Sequence, residues 1–294
     1  MAEDTETPLR LLSCGEVLWD LFDGERRIGG AAFNLAAHAA RCGLEAHLLS
    51  RVGNDALGQE ALQEVRRLGV AAEDVQLDTL HPTGTVTVAL SAAGQPTYTI
   101  HAPVAWDFIT ADEETLQRLA GYQFDALCFG TLAQRSDVSR ASLQRVLEAC
   151  RAEIVFFDVN LRQQYYTQDI IEQGLAYANV LKLSDEELPI LASLLCGQPM
   201  EAQAFAQELQ RRYPHLRTIL ITQGGRGCLV ADDGDFFTVP GKAVAVLDAV
   251  GAGDAFSAAF LAARLHGKPT TEAVQAGNAL GAYVVARRGA VPTD

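Results

Sequence analysis

Short apolar segments alternate with amphipathic segments along most of the 294 residues, and this alternation constrains the fold more than any other feature. Strands are predicted at residues 9–13, 46–51, 124–129, 154–158, 180–182 and 218–222. Helices are predicted at residues 31–42, 54–68, 139–149, 168–178, 185–195 and 202–212, the second capped by Asn54 or Asp55. Strands that alternate with helices indicate an α/β fold, in which a mostly parallel sheet carries helices on both faces.

A β-rich region interrupts this alternation near the N-terminus. Residues 85–91 and 97–101 alternate between apolar and polar side chains, as antiparallel strands do, and a turn through residues 93–96 joins them. Residues 17–23 have a similar pattern. We expect a small separate sheet, built from about residues 16–28 and 82–107, within a single α/β domain over residues 1–294. This sheet is either a lid that closes over a site and excludes water or an ordinary edge hairpin, and we favour the lid.

The segment from Val246 to Phe256, V-L-D-A-V-G-A-G-D-A-F, carries the clearest chemical signal. It is predicted to be a buried strand end, a glycine turn and the start of a helix that runs to about residue 265. Gly251 and Gly253 allow backbone geometries that side chains forbid, and the free N–H groups of the new helix form an anion pocket. Asp254 is poorly suited to bind phosphate there, but it is well suited to take a proton from an attacking hydroxyl. The pairing indicates phosphoryl transfer to an alcohol.

Other classes of site fit the chain poorly. A dinucleotide fingerprint requires a third small residue where Phe256 stands, and a Walker P-loop requires a Gly-Lys-Ser/Thr run that does not occur in the sequence. The net charge of −14 disfavours a nucleic-acid partner or an anionic membrane surface. The sequence contains no uncharged apolar run of about 18 residues, so no membrane span is expected.

The cysteines and histidines indicate a protein of the reducing cytoplasm that holds no transition-metal centre. The six cysteines are scattered with no C-x-x-C pair, which is atypical of a disulfide framework or a zinc site. The six histidines do not cluster, so a transition-metal centre is not expected. The acidic, polar start of the chain does not read as a signal peptide.

Polar or glycine-rich stretches follow several of the predicted strands. They lie at residues 15–20, 158–162, 182–187 and 222–227, with Asp254 after the last predicted strand. Because ligands of open parallel sheets bind beyond the carboxyl ends of the strands, we expect these groups to converge on one edge.

Two widely separated stretches resemble the signatures of one known family. Residues 29–36 (G-G-A-A-F-N-L-A), continued by residues 51–58, resemble the N-terminal signature of the ribokinase/PfkB carbohydrate kinases, and residues 248–254 resemble their C-terminal signature. The likeness runs from about residue 15 to residue 290 and implies a ribokinase-like fold with a small β lid.

Within that family the chain is most similar to bacterial fructokinases, on P-T-G-T-V at residues 82–86, A-W-D at 105–107 and D-V-N-L-R at 158–162. The resemblance implies ATP-dependent phosphorylation of the primary hydroxyl of a monosaccharide, with fructose as the expected acceptor. Ribokinases, ketodeoxygluconate kinases and nucleoside kinases share the scaffold and remain alternatives. A catalytically silent sugar or nucleotide sensor is a further one.

The resemblance also implies a role for each site residue. Asp254 would be the base, and the backbone of Gly251, Ala252 and Gly253 would hold the γ-phosphate. Sugar hydroxyls would be bound by Asp20, Gly30, Asn34 and Arg162. The nucleotide would be lined by Lys182, Ser184, Thr222, Gly224, Gly227 and Asn278. Glu187 would hold Mg²⁺ through water, and Asp248 with the Val250 carbonyl would hold a monovalent cation such as K⁺.

Several of these residues also have a structural interpretation. Asp20 could be only a turn residue, and Arg162 could simply pair with Asp158 as a clamp. The three acids at residues 185–187 are predicted to open a helix, where the dipole favours negative charge in any case.

Two departures from the family pattern affect individual contacts. Ser184 stands where an asparagine is usual, which weakens the nucleotide-phosphate contact assigned there. Ala249 and Val250 replace the common hydroxyl residues, so potassium dependence stays open. A sheet-like lid offers edges that could pair into a homodimer, and a monomer is equally allowed.

Overall fold

A nine-stranded sheet lies at the centre of this computed structural model, which describes residues 8–90 and 96–293. Its strands in spatial order are β13 (Asp235–Pro240), β12 (Gly227–Asp232), β11 (Thr218–Thr222), β10 (Val180–Ser184), β9 (Ile154–Asp158), β8 (Ala126–Phe129), β1 (Arg10–Cys14), β4 (Glu45–Gly53) and β5 (Val75–Asp78). The strands from β11 to β5 pair in parallel, and β12 pairs antiparallel with both β11 and the edge strand β13. The prediction of a mostly parallel sheet is confirmed.

Helices cover both faces of this sheet, as predicted. One layer contains α1 (Ala31–Arg41), α2 (Ala56–Arg67), α8 (Ala252–Leu265) and α9 (Thr270–Val285). The other contains α3 (Glu113–Tyr122), α4 (Asp137–Ala149), α5 (Gln168–Tyr177), α6 (Leu188–Cys196) and α7 (Ala202–Arg212). Successive residues of β1 enter opposite cores, Leu11 beneath the first layer and Leu12 beneath the second. This alternation is what a strand covered on both faces requires.

Local sequence signals explain where two of the helices begin. Asp55 caps α2 by accepting a hydrogen bond from the Gly58 N–H at 2.8 Å, which confirms the expected start. α6 begins at Leu188, three residues later than predicted, because residues 185–187 form a turn closed by a bond from the Glu187 N–H to the Ser184 carbonyl. No helix within residues 8–90 or 96–293 is long and apolar enough to cross a membrane.

The chain reverses direction across the large sheet at β1. After β1 it builds β4 and β5 on one side, and it then returns to place β8 on the other side. Connections that leave neighbouring strands in opposite directions open a crevice at the carboxyl ends of those strands. The fold therefore directs a ligand to the ends of β1 and β8.

A separate four-stranded sheet contains the segments expected to form it. Its order is β3 (Glu25–Gly29), β2 (Leu18–Phe22), β6 (Gly84–Leu90) and β7 (Pro96–Ile100). β2 pairs antiparallel with β3 and parallel with β6, and β6 pairs antiparallel with β7. Residues 93–95 of the predicted turn lie outside the described residues.

The prediction of a buried strand end before the glycine turn is wrong. Residues 241–249 contain no strand, and Val246 and Leu247 are 68% and 60% exposed. The N–H groups of Leu247 and Asp248 both donate to the Val285 carbonyl at the end of α9. These apolar residues therefore belong to a surface connection anchored on a helix end, and the glycine turn follows that connection.

Close packing at Gly84 gives a test of this arrangement. A methyl group at Gly84 would lie 2.3 Å from Nε1 of the fully buried Trp106. We expect Gly84→Ala to lower the free energy of unfolding, measured by urea denaturation, by about 1–3 kcal/mol through overpacking. Gly121→Ala on α3 is the control: the added methyl meets no atom within 4 Å and should stabilise by about 0.5–1 kcal/mol. Equal effects of the two substitutions would refute the packing.

Candidate active site

A cavity of about 370 Å³, including its open mouth, lies at the carboxyl ends of β1, β8 and β9. It occupies the crevice that the chain reversal creates. The N-termini of α1 and α8 border it through Ala31 and Asp254. Two further acids, Glu16 and Asp158, also line it. Helix N-termini and carboxylates thus face one another across the cavity, a combination suited to an anion and a proton-donating ligand.

The glycine turn at the start of α8 can form only with glycine at its first position. Gly251 has a left-handed backbone with φ of 78°, and a Cβ there would lie 2.6 Å from the Cα of Ala290. No described side chain caps the helix. The Ala252 N–H donates to the Ala249 carbonyl at 3.4 Å, a long hydrogen bond. The N–H groups that follow it in the first turn remain for a ligand, and the positive end of the helix dipole adds to their attraction for an anion. Gly251, Ala252 and Gly253, the residues predicted to hold the γ-phosphate, form this turn.

Asn34 and Asp254 meet at the edge of the anion pocket. The Asn34 Nδ2 group, on α1, donates to Asp254 Oδ2 at 2.8 Å. Burial raises the pKa of Asp254 to about 6, while the bond from Asn34 and the nearby charge of Lys182 oppose that rise. The Asn34 side chain is buried, and its Oδ1 atom has no hydrogen-bond partner among the described residues. The site thus contains a basic carboxylate beside an unsatisfied acceptor.

Asp20 lies on β2, so the alternative that it is only a turn residue is wrong. Burial raises the pKa of Asp20 to about 6, and the guanidinium groups of Arg162 and Arg27 counteract this rise. The Arg162 guanidinium also acts to lower the pKa of Asp254, so Asp20, Asp254 and Arg162 lie in one region. The Arg162 side chain is exposed and has no hydrogen-bond partner within residues 8–90 and 96–293.

The proposed clamp between Arg162 and Asp158 is also wrong. Asp158 instead binds Lys182, whose Nζ lies 2.7 and 2.9 Å from its two carboxylate oxygens. Asn160 and Gln163, on either side of Arg162, have φ of 43° and 51°. Left-handed backbone at two non-glycine residues is strained and persists where surrounding contacts hold it. The loop after β9 therefore presents Arg162 in a specific, constrained conformation.

Glu187 holds this loop against the next one. Its two carboxylate oxygens accept hydrogen bonds from the N–H groups of Leu161 at 2.6 Å and Ser184 at 2.7 Å. It thereby joins the end of β9 to the end of β10. Each oxygen keeps a second lone pair, so the carboxylate can still accept from water.

The predicted nucleotide residues, Lys182 excepted, form one row along the sheet edge: Ser184, Thr222, Gly224, Gly227 and Asn278. Ser184 and Thr222 are partners in register, Gly227 pairs with Pro240, and Asn278 Nδ2 donates to the Pro240 carbonyl at 3.2 Å. The row continues from the end of β10 to α9.

Gly227 must be glycine for this row to form, because its φ is 107° and a Cβ would lie 2.2 Å from the Val239 carbonyl oxygen. Gly224 is exposed in a short turn before it. Lys182 does not belong to the row, since it is 7% exposed and paired with Asp158.

Asp248 lies at the other side of the glycine turn with its carboxylate already engaged. It pairs with Arg27 at 3.4 Å and accepts hydrogen bonds from the N–H groups of Gly289 and Val250 at 3.0 and 3.1 Å. No group of three or more His, Cys, Asp or Glu that could hold a metal ion occurs in the described part of the chain.

Glu16 is a cavity residue to which the sequence analysis gave no role. It is 6% exposed, its Oε1 atom accepts from the Ala31 N–H at 2.9 Å, and burial raises its pKa. Gly30 lies so close that a Cβ there would be 2.4 Å from the Glu16 carbonyl oxygen. The sequence feature that could have identified Glu16 is its position directly after the first strand, where an acid faces the crevice.

Comparison with known proteins identifies relatives that cover nearly the whole chain. Residues 7–294 match the family described as pfkB family carbohydrate kinase. Fructokinase of Klebsiella pneumoniae is 32% identical over 268 residues, covering 87% of this chain and 84% of that protein. The 2-dehydro-3-deoxygluconokinase of Dickeya dadantii is 29% identical, covering 92% and 91%.

Among solved structures, a double mutant of fructokinase from Vibrio cholerae O395, in a fructose-, ADP- and potassium-bound form, superposes on this chain with a TM-score of 0.82. The two chains are 26% identical, and the match covers 98% of this chain and 95% of that one. This similarity confirms the expected ribokinase-like fold.

The raised pKa of Asp254 makes its ionised form costly in the folded protein. The folded state keeps this proton up to about pH 6, whereas an unfolded chain loses it near 3.8, so stability falls as pH rises between these values. We expect Asp254→Asn to raise the free energy of unfolding at about pH 8 by up to about 3 kcal/mol. The gain should shrink at about pH 5, where the native carboxyl is protonated.

Asp55→Asn is the matched control for this measurement. Burial raises the pKa of Asp55, but hydrogen bonds from Thr83 and Gly58 outweigh burial and hold the pKa below its usual range. Its ionised form therefore stabilises the fold, and Asp55→Asn should cost about 1 kcal/mol at about pH 8. If the two variants respond to pH in the same way, the assignment of Asp254 is wrong.

Proposed function

The chain belongs to the pfkB family of carbohydrate kinases, and on that premise we propose that it transfers the γ-phosphoryl group of ATP to the primary hydroxyl of fructose. ATP-dependent phosphorylation of a carbohydrate is the activity of the family. The observation that carries the proposal is the bond between Asn34 and Asp254 at the uncapped start of α8. Asp254 and the N–H groups before it belong to one helical turn at the edge of the cavity, which supports a base beside an anion pocket.

Asp254 acts as the base during the transfer. A sugar hydroxyl is far less acidic than a carboxylic acid, so Asp254 cannot ionise it beforehand. It accepts the proton as the oxygen–phosphorus bond forms, while the bond from γ-phosphorus to its bridging oxygen breaks and its electrons stay with ADP. A pKa of about 6 leaves Asp254 ionised near neutral pH and makes it a stronger base than an ordinary aspartate. The N–H groups of the turn at Gly251 stabilise the charge on the transferred group.

The acceptor sugar fits between α1 and the loop after β9. The unpartnered Oδ1 of Asn34 would accept a hydrogen bond from a sugar hydroxyl, which removes the penalty of a buried unsatisfied acceptor. Asp20 and Arg162 would bind further hydroxyls, because the Arg162 charge acts both on Asp20 and on the base. Gly30 leaves the start of α1 free of a side chain at this point.

The nucleotide would lie along the row from Ser184 to Asn278. This row continues from the end of β10 past β11 and β12, and it is connected to the sugar side through Glu187. The γ-phosphate would then point to the turn at Gly251. Gly224 has open space where a Cβ would stand, so its backbone could approach the phosphates or ribose closely, whereas Gly227 is needed for packing against the Val239 carbonyl.

Glu187 fits a role toward Mg²⁺ through water. Its position is fixed by two backbone bonds, and each oxygen retains a lone pair for a metal-bound water. Magnesium would neutralise charge on the phosphates of ATP. Asp248 does not fit a monovalent cation in the same way, because Arg27 already neutralises its carboxylate.

The charges around the cavity favour a neutral sugar as acceptor. Glu16, Asp20 and Asp254 outnumber the one unpaired cation that acts on all three, Arg162. A carboxylate-bearing sugar would be repelled by three acids, although the free guanidinium of Arg162 could bind it. 2-Dehydro-3-deoxygluconate, the acceptor named for the Dickeya relative, is therefore the second candidate.

We also propose that the enzyme works in the cytoplasm, without a nucleic-acid or membrane partner. Its six cysteines are all unpaired, and its net charge is −14. The small sheet ends in two edge strands, β3 and β7, and pairing of these edges with a second copy would form a homodimer.

A coupled assay of ADP release tests the proposed reaction. With ATP and magnesium, we expect fructose to give the highest kcat/KM among fructose, ribose, 2-dehydro-3-deoxygluconate and adenosine. Asp254→Asn should lose about 10²–10⁴-fold in kcat while its Kd for ADP stays nearly unchanged. Asp137→Asn is the control, since Asp137 occupies the first turn of α4, away from the cavity, and should leave kcat unaltered. Near-normal turnover by the Asp254 variant would reject the base assignment.

The small sheet is proposed to close over the bound sugar. It already contacts the loops that carry the site: Gln163 Nε2 donates to the Tyr98 carbonyl at 2.9 Å, and Arg27 pairs with Asp248. Hydrogen exchange with and without fructose should show added protection at residues 85–88 and 97–100, because closure buries these amides. Exchange in α7, far from the cavity, should not change. Unaltered exchange in the small sheet at saturating sugar would exclude a lid.

A further inference from the structure

Lys182 is a buried cation that lies directly against the glycine turn. It stands on β10, and its side chain is 9% exposed. If Gly253 carried a Cβ, that atom would lie 3.1 Å from Lys182 Nζ. The glycine therefore removes the atom that would otherwise separate the ammonium group from the anion pocket. A side chain at residue 253 would push the charge away.

Asp158 and Ser257 hold the ammonium group in this position. Both carboxylate oxygens of Asp158 accept from Lys182 Nζ. The Ser257 hydroxyl, one turn along α8, lies 3.2 Å from Asp158 Oδ2 and 3.0 Å from the Gly253 carbonyl. The pair is thus tied to the same helix that provides the anion pocket. Asp158 lines the cavity while the ammonium faces the turn, so the ion pair has its positive end toward the phosphate.

The ammonium keeps its charge despite its burial. Burial by itself lowers the pKa of Lys182, but the Asp158 carboxylate outweighs this effect and the pKa lies above its usual range. Asp254 and Glu187 act in the same direction. The ammonium group of Lys182 is therefore charged beneath the turn at neutral pH.

A buried ion pair of this kind needs an explanation beyond stability. Replacing such a pair by well-packed neutral side chains is often neutral or stabilising, because desolvation offsets the attraction between the charges. A positive charge in a low-dielectric interior nevertheless acts strongly on negative charge that develops nearby.

We propose that Lys182 is a positioning charge for phosphoryl transfer, which acts through the turn at Gly253 to stabilise negative charge collecting over the anion pocket. The proposal rests on the proposed function, since it assigns the γ-phosphoryl group to that pocket. Asp158 and Ser257 hold the charge in place and need not touch the phosphate.

Three variants separate this role from a merely structural one: Lys182→Met, Asp158→Asn and the double variant with both changes. Each is assayed for kcat with fructose, for urea unfolding, for ADP binding, and for inhibition by ADP with aluminium fluoride, a mimic of the transferring phosphoryl group. Lys182→Met leaves an unpaired buried carboxylate, so it should lose both stability and about 10²-fold in kcat. The double variant should recover stability but not kcat. Asp158→Asn should have a higher kcat than either variant that lacks Lys182.

Inhibition gives a readout that a structural role would not move. Both variants that lack Lys182 should bind ADP within about threefold of the wild type, yet lose most of the added affinity for ADP with aluminium fluoride. If kcat follows stability across the three variants, so that the double variant regains turnover, the proposal is wrong.

Arg118→Met is the matched control, because it breaks another ion pair with a buried carboxylate, Asp74, away from the cavity. It should lower stability and leave kcat unchanged, and a comparable loss of kcat would overturn the proposal. Absence of kinase activity in the wild type would instead refute the proposed function, so the two failures can be told apart.

Discussion

The left-handed turn at Gly251 determines where everything else in the site can be. Its backbone angle and its contact with Ala290 leave no room for a side chain. The turn starts α8 without a capping side chain, so the N–H groups stay available and Asp254 follows within the same helical turn. From that helix the site extends outward, to Asn34 on α1 and to Asp158 and Lys182 on the sheet. A shift of this one turn would separate base from anion pocket and disturb every contact beneath it.

Charge in the cavity is arranged for chemistry at some expense of stability. Glu16 and Asp254 in the cavity and Asp20 near it have their pKa values raised by burial, and Asn34 retains an acceptor without a partner among the described residues. Each of these features is unfavourable in the free protein and becomes favourable once a hydroxyl donates to it. The scaffold tolerates this because the large parallel sheet is buried on both faces, with a separate apolar core under each helix layer.

Periodicity and turn chemistry predicted most of the architecture, because alternation of strands with helices admits few topologies. The glycine turn and Asp254 could be assigned from sequence since glycine geometry, an uncapped helix and an acid are local features. The ion-pair partner of Asp158 could not be predicted from the sequence. Arg162 lies shortly after Asp158 along the chain and Lys182 lies on a later strand, and only the register of β9 and β10 decides that Lys182 binds Asp158. The strand predicted at Val246 and Leu247 was wrong because a short apolar run on an exposed connection has the same sequence pattern as a buried strand.

The clamp formed by Glu187 has a consequence for how the two substrates affect each other. One carboxylate joins the loop that presents Arg162 to the strand end where the nucleotide row begins. Ordering either segment therefore orders its neighbour, and the loss of conformational entropy is shared between the two binding events. Such sharing is a heterotropic linkage, in which each ligand raises the affinity for the other by the same factor. Glu187 would in this way stabilise the ternary complex relative to the two binary complexes.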